Sequence, residues 1–162
     1  MMAIRQAGLA FLALLVLSGW TGTLRADDRH AGYYYPKPGS QETYEARAET
    51  LPEANRAVRI GFATGLANQL RARPHAQTLA VFAKGADAEK LILVALQDGR
   101  IETLYRARAV FANLTAIARV MPLFAEYGVQ DVFTFFDLAK MLGFSQITIS
   151  DGDDFAHQVF IE

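Results

Sequence analysis

Hydrophobic and polar residues alternate with a period of two in two segments between residues 43 and 66. Charged side chains occupy every second position over residues 43–51, and apolar ones alternate with small or charged ones over residues 58–66. This is the period of a strand with one solvated face. Turn residues 52–55 separate the two segments, so the pattern predicts an antiparallel hairpin. The alternative is a helix over residues 53–72. Each of its two interior glycines would destabilise that helix by about 1 kcal/mol relative to alanine.

The middle of the chain predicts two central strands and then a long helix. Residues 79–83 and 91–96 are short continuous apolar runs joined by the polar loop 84–90, which is typical of buried strands. Apolar side chains then recur at steps of three and four over residues 104–121, the spacing of an amphipathic helix. Pro122 ends or kinks this helix, and Gly128 stops any further turn.

The C-terminal part of the chain predicts a second helix and a terminal hairpin. Thr134 to Asp137 resembles a capping box, and Gly143 closes the helix that this box begins. Residues 146–150 and 156–161 predict strands around a short loop. Strands and helices cluster without a repeating strand-helix-strand unit. We therefore expect an α+β fold with a mainly antiparallel sheet of about five to six strands, covered on one face by two helices.

Residues 1–26 predict a cleavable secretory signal. Arg5 precedes an apolar run of about 11 residues, fewer than the roughly 20 that a membrane-spanning helix needs. Cleavage after Ala26 leaves about 136 of the 162 residues, with an extended arm over 27–42 and a single domain over 43–162. We expect a periplasmic or secreted protein that has no membrane contact after cleavage.

Composition excludes several classes of function. The chain has no cysteine, which excludes disulfides, thiolate nucleophiles and thiolate metal sites. The net charge of −1 falls to about −3 when the signal is removed, which argues against a nucleic-acid partner. We find no nucleophile elbow, no phosphate-binding glycine loop and no zinc-protease motif. We therefore expect no cofactor and no metal centre, and an enzyme is less expected than a binding protein.

The polar loop between the two central strands is a candidate binding site, because a rigid sheet can present loop side chains to a ligand. A lysine beside carboxylates can donate a proton or hold an anion. A solvated loop explains the same composition. The candidate residues are Lys84, Asp87, Glu89 and Lys90.

The terminal loop places several carboxylates beside an imidazole, and hard cations such as calcium prefer oxygen ligands of this kind. Its spacing differs from that of a helix-loop-helix calcium site, and Asp-Gly is a common hairpin turn. A hydrolase or lyase with carboxylate and histidine chemistry requires this loop to meet the 84–90 loop in space. The candidates are Asp151, Asp153, Asp154 and His157.

On the long helix, Tyr105 and Arg108 are three residues apart and share a face. Arginine can fork onto a carboxylate or a phosphate, so both residues are ligand-binding candidates. An ion pair of a helix arginine with Glu102 or with a sheet carboxylate is the simpler expectation.

Two further features suggest contacts with a ligand or a partner. A row of small residues leaves one face of the predicted strand 58–66 bare for a close helix or a ligand: Gly61, Ala63 and Gly65. Three aromatic side chains in the arm are expected to pack against either a protein partner or the chain's own domain. These partner-binding candidates are Tyr33, Tyr34 and Tyr35.

Six segments carry a resemblance that covers most of the mature chain: Tyr33 to Pro36, Phe82 to Gly85, Ala88 to Ile92, Thr103 to Ala109, Phe133 to Leu138 and Ser150 to Gly152. They resemble a family of small exported bacterial proteins often named molybdopterin-guanine dinucleotide biosynthesis protein A. That name implies a nucleotidyltransferase with a glycine-rich loop at its first strand, a position that a secretory signal occupies here. The resemblance therefore carries over no catalytic residue.

These observations lead us to expect an exported, non-catalytic binding or accessory domain for a periplasmic protein or small ligand. A small hydrolase or lyase and a weak divalent-cation-binding protein are the alternatives.

Overall fold

The computed structural model describes residues 36–72, 78–97 and 101–162, which belong to one compact unit, Tyr34–Glu162. The predicted signal and most of the arm, with Tyr33, Tyr34 and Tyr35, lie outside the described residues. Five strands form one sheet in the order β1-β5-β4-β3-β2. The elements in chain order are β1 Ser40–Tyr44, α1 Arg56–Arg71, β2 Leu79–Lys84, β3 Lys90–Ala95, α2 Leu104–Arg119, α3 Pro122–Tyr127, α4 Phe135–Met141, β4 Gln146–Ser150 and β5 Ala156–Ile161.

The sheet is mixed, so the α+β class is confirmed but the mainly antiparallel sheet is wrong. β2–β3 and β4–β5 pair antiparallel, whereas β3–β4 and β1–β5 pair parallel. The chain passes through α2, α3 and α4 between β3 and β4, and a crossover of that length lets two strands run parallel. The described residues hold four helices instead of the expected two.

The predicted N-terminal hairpin is also wrong. β1 ends at Tyr44, so the end of the predicted arm, residues 40–42, belongs to the sheet, and residues 45–51 are not a strand. The expected strand over 58–66 lies inside α1.

The helix α1 forms because a cap and tertiary burial outweigh its two glycines. The Asn55 side chain accepts hydrogen bonds from the Ala57 and Val58 backbone N–H groups at 2.9 and 3.1 Å, which is a helix N-cap. The buried positions of α1 recur at steps of four, three and four: Arg59, Ala63, Leu66 and Leu70. Strand and helix periods coincide at positions 58, 62 and 66, which explains the error.

The other predicted elements are confirmed. β2 to β5 and α2 occupy the predicted segments, with α3 as the further turn after Pro122. Gly128 and Gly143 adopt positive φ angles of 66° and 80°, the left-handed conformation that ends helices. Thr134 and Asp137 form the expected reciprocal capping box at the start of α4.

The core lies between the helices and one face of the sheet. Buried residues of α1, α2 and α4 form one cluster with alternate residues of the strands, among them Leu93, Ile149 and Val159. The opposite face carries polar side chains that hydrogen bond to one another. The Gln41 amide donates to Gln158 at 3.0 Å, for example. The fold therefore brings β1, β5 and α2 together at one edge of the core, where the polar groups described below lie.

Candidate functional site

The loop between β2 and β3 is a tightly bonded turn. Gly85 has a φ of 101°, and the Glu89 carboxylate fills the space where a side chain at Gly85 would stand. The Asp87 backbone N–H donates to this carboxylate at 3.0 Å, and buried Arg59 donates to the Asp87 carbonyl at 2.9 Å. Two of the four candidates, Asp87 and Glu89, therefore serve the turn itself, and Lys84 and Lys90 are paired across the two strands.

The terminal loop is organised by the first of its aspartates. The Asp151 carboxylate accepts hydrogen bonds from the backbone N–H groups of Asp153 and Phe155 at 2.9 and 3.0 Å. A hydrogen bond with Asp151 and the negative charges of Asp151 and Asp153 raise the pKa of the Asp154 carboxyl. Within the described ranges, no group of three or more acidic or histidine side chains is placed to hold a metal ion.

The two candidate loops lie at opposite ends of the sheet. Lys90, at the end of the first loop, is paired with Gln146 at the start of β4. The second loop follows Ser150 at the other end of that strand. A combined carboxylate and histidine site built from both loops therefore does not form.

His157 lies apart from the terminal loop, in a cluster on β1 and β5 that we name the edge cluster: Ser40, Glu42, Arg108 and His157. Parallel pairing places Ser40 beside His157 on the helix-covered face. The Ser40 hydroxyl lies 2.8 Å from His157 Nδ1. His157 Nε2 lies 3.2 Å from a Glu42 carboxylate oxygen. The imidazole is 1 % exposed, and among the described residues these two side chains make its polar contacts.

The contact between His157 Nε2 and Glu42 is electrostatic and not an aligned hydrogen bond. Nε2 has a close carboxylate oxygen, yet no hydrogen bond of acceptable geometry reaches it. The direction of an N–H group decides hydrogen-bond strength more sharply than the distance does. The buried imidazole therefore has a hydrogen-bond contact with the Ser40 hydroxyl at Nδ1 and an electrostatic contact with the Glu42 carboxylate at Nε2.

Glu42 connects the buried imidazole to the surface. Its second carboxylate oxygen accepts a hydrogen bond from Arg108 at 2.9 Å. Partial burial raises the pKa of the Glu42 carboxyl, but the hydrogen bond and charge of Arg108 and the close contact with His157 outweigh burial and hold that pKa below 4.5. Arg108 thus pairs with a sheet carboxylate and Arg106 pairs with Glu102 at 3.1 Å, so both expected ion pairs are present. Tyr105 is 84 % exposed.

A second feature is an apolar cavity of about 150 Å³ between α1, α2 and α4. Gly65 lies at its rim with no atom within 4 Å of the place where a side chain would begin. Gly65 is itself exposed, so the cavity opens to solvent there. Within α1 the three small residues do not share one face, since Ala63 is buried whereas Gly61 and Gly65 are exposed. The lining residues are Phe62, Gly65, Leu66, Gln69, Leu114, Ile117, Ala118, Met121, Phe135 and Leu138.

A larger cleft of about 470 Å³ adjoins this cavity and shares Gln69, Leu114 and Ile117 with it. Thr78 and Asn113 add a hydroxyl and an amide to its lining. Among the described residues that line the two spaces, none carries a formal charge. An elongated, uncharged ligand with one apolar end matches this arrangement.

Sequence reasoning missed Ser40 and Glu42 as partners of His157, because 117 residues separate Ser40 from His157 and the arm was expected to remain outside the sheet. It expected a close helix or a ligand along Gly61, Ala63 and Gly65 on a strand face, but these residues lie in α1 and only Gly65 of the three lines the cavity. None of the helices in the described parts of the chain is long and apolar enough to cross a membrane. Comparison with family models, with curated proteins and with solved structures finds no match to this chain.

Proposed function

We propose that this chain is an exported ligand-binding domain whose site is the cavity between α1, α2 and α4 together with the adjoining cleft. The observation that carries the proposal is an apolar space of about 150 Å³ between three helices that opens to the surface at exposed Gly65. Ligand-binding sites are typically concave and mostly apolar, so a space with this lining suits a ligand. The ligand class is a small uncharged molecule with an apolar ring or short aliphatic group.

The size and lining of the cavity support the apolar end of this ligand. About 150 Å³ is the size of cavity that holds a single benzene ring when its walls are apolar. Phe62 and Phe135 contribute aromatic faces, and Leu114 and Leu138 contribute aliphatic surface. Apolar surface removed from water stabilises the complex by about 25 cal/mol per Å².

The adjoining cleft supports the polar end. Gln69 and Asn113 offer amides that both donate and accept hydrogen bonds, and Thr78 offers a hydroxyl. Neutral donors and acceptors suit hydroxyl, carbonyl or amide groups better than a charged group, which would lose its hydration without gaining a counter-charge. The polar end would therefore set orientation while the cavity supplies most of the free energy.

Export of the domain is part of the proposal. Residues 1–26 have the order of a secretory signal, with a charged start, an apolar run and a small residue at the cleavage site. A periplasmic location suits a cysteine-free domain that depends on packing for its stability. The mature chain beginning at Asp27 is therefore the form to assay.

The test compares two glycine variants of α1 with indole as the probe, because indole has an apolar ring and one N–H donor. Gly65→Leu places a side chain at the cavity rim, and we expect at least a tenfold loss of indole affinity by calorimetry or NMR titration. Gly61→Leu is the matched control: it makes the same helix substitution at an exposed position that does not line the cavity. Both variants should gain helix stability.

Equal indole affinity in both variants would contradict the cavity as the site. Wild-type protein that shows no saturable indole shift would contradict the ligand class itself. Circular dichroism of each variant checks that the helices are intact, so that a loss of binding reports on the cavity.

A further inference from the structure

The edge cluster holds a hydroxyl, a buried imidazole and a carboxylate in contact, and none of its residues lines the cavity or the cleft. We propose that Ser40 is a nucleophile that His157 and Glu42 activate, and that the cluster cleaves small carboxylic esters. This activity goes beyond ligand binding. It places hydrolase chemistry on β1 and β5 and not on the two candidate loops.

The carboxylate sets the tautomer of the imidazole. Arg108 and His157 keep the pKa of the Glu42 carboxyl below 4.5 despite its partial burial, so Glu42 is negative at neutral pH. Its charge, 3.2 Å from Nε2, favours the tautomer with the proton on Nε2. Nδ1 then carries the lone pair, and it accepts the Ser40 hydroxyl proton across 2.8 Å. This is the arrangement of a nucleophile beside its general base.

Burial increases the strength of these interactions. His157 is 1 % exposed, so little water competes with Ser40 for Nδ1, and charge interactions are stronger away from water. Ser40 itself is only partly buried, on the edge strand β1, and Arg108 and Glu42 are 61 % and 33 % exposed. A reagent can therefore approach the hydroxyl while the base behind it stays buried.

The other serines of the described domain provide an internal contrast. The Ser145 hydroxyl donates to the Glu89 carbonyl at 3.5 Å, and the Ser150 hydroxyl donates to the Phe155 carbonyl at 2.8 Å. A carbonyl oxygen accepts a hydrogen bond but does not take the proton at neutral pH. Ser40 is thus the described serine whose hydroxyl contacts a group that can act as a base.

The ester cleavage proceeds in two balanced steps. In the first, Ser40 Oγ bonds to the ester carbonyl carbon and its proton passes to Nδ1. The bond to the alcohol oxygen breaks, and the alcohol leaves with that proton. In the second, water attacks the acylated serine with Nδ1 again taking a proton, which returns to Ser40 Oγ as the acid is released. Glu42 stabilises the imidazolium that forms in both steps.

The experiment measures covalent labelling of the mature chain by a fluorophosphonate, with the labelled peptide identified by mass spectrometry. The Ser40 oxygen bonds to phosphorus, fluoride leaves, and the serine proton passes to His157. We expect label on Ser40 and not on exposed Ser145. His157→Gln and Glu42→Gln should each slow the labelling about 100-fold, whereas Ser145→Ala should leave it unchanged.

The fold of each variant separates activation from a structural role, because a variant that stays folded and loses labelling has lost the activation of Ser40. Glu42→Gln guards against a folding artefact, since its carboxylate is partly exposed and its fold can be checked by circular dichroism. No label on Ser40 in the folded wild-type chain, or an unchanged rate in Glu42→Gln, would overturn the proposal.

Discussion

The two ends of β1 contact two buried polar clusters of different character. At one end, Tyr44 donates to the carboxylate of Asp137, which is fully buried. At the other end, Ser40 and Glu42 contact the nearly buried His157. The Asp137 carboxylate is saturated with aligned donors, whereas His157 Nε2 has a close charge and no aligned hydrogen bond. A saturated cluster holds the fold together, and an unsaturated one retains capacity for chemistry.

The donors to Asp137 explain its structural role. Its carboxylate accepts from the backbone N–H of Thr134 at 2.7 Å, from the Thr134 hydroxyl at 2.9 Å and from the backbone N–H of Arg47 at 2.8 Å. The Tyr44 hydroxyl adds a fourth donor at 3.1 Å. One buried side chain thus joins the start of α4 to the chain segment that follows β1.

The largest expected effect is on the saturated cluster. Asp137→Ala should lower the free energy of unfolding by about 3 to 5 kcal/mol, because it leaves several buried donors without an acceptor. Urea denaturation of the mature chain measures the change. The control is Asp131→Ala, an exposed aspartate on a nearby turn, which should change stability by less than about 0.5 kcal/mol. A loss below 1 kcal/mol for Asp137→Ala would contradict the saturated cluster as a structural support.

An intermediate effect is expected at Tyr44. Burial and the nearby Asp137 charge raise the pKa of the Tyr44 hydroxyl, so it remains a neutral donor at physiological pH. Tyr44→Phe removes this hydroxyl and keeps the ring against Phe136, whose centroid lies 4.8 Å away. The cost should be about 1 kcal/mol, measured by urea denaturation. Tyr105→Phe, on a side chain that is 84 % exposed, should cost almost nothing; equal losses in both variants would remove the Asp137 contact as the cause.

The smallest effect is expected at Glu42 and depends on pH. Because the pKa of its carboxyl is lower in the folded chain than its ordinary value of 4.5, the charged form stabilises the fold. This stabilisation is fully present above the ordinary value and is lost as the pH falls through the lower folded pKa. Since the side chain is 33 % exposed, solvent screening limits the contribution to less than about 1 kcal/mol.

The measurement is the free energy of unfolding of wild type and Glu42→Gln from neutral to acid pH. The difference between them should be present at neutral pH and should disappear in acid. Glu102→Gln is the matched control, because Glu102 pairs with Arg106 on the exposed surface of α2 with its side chain 56 % exposed. A difference for Glu42→Gln that persists unchanged into strong acid would show that its carboxylate does not stabilise the fold by charge.

Sequence patterns predicted the second half of the fold well, because local signals and burial agree there. The apolar spacing of α2, the capping box at Thr134 and the left-handed glycine at 143 each act within a few residues. The failure at α1 has the opposite cause. Its apolar residues fit both a period of two and a period of four. The two glycines disfavour a helix, but the burial of Leu66 and Leu70 against the core stabilises the helix over the strand.

The candidate site was less predictable than the fold. His157 and Arg108 were named as candidates, but the grouping with loop residues was wrong because the β3–β4 register separates the two loops. The bonds that matter join Ser40 to His157 across 117 residues and Arg108 to Glu42 across 66. No local pattern encodes such pairs, since they depend on which strands become neighbours.

By itself, the amino-acid sequence determined the α+β class, the absence of cysteine chemistry, the capping box at Thr134, the helix ends at Gly128 and Gly143, and four of the five strands. These depend on residue type and short spacing, which act through backbone conformation and local hydrogen bonds. Tertiary structure alone decided the parallel position of β1, the open space at Gly65 and the contacts of His157. Each of these depends on which distant surfaces pack together, and that choice is made by the burial free energy of the whole domain.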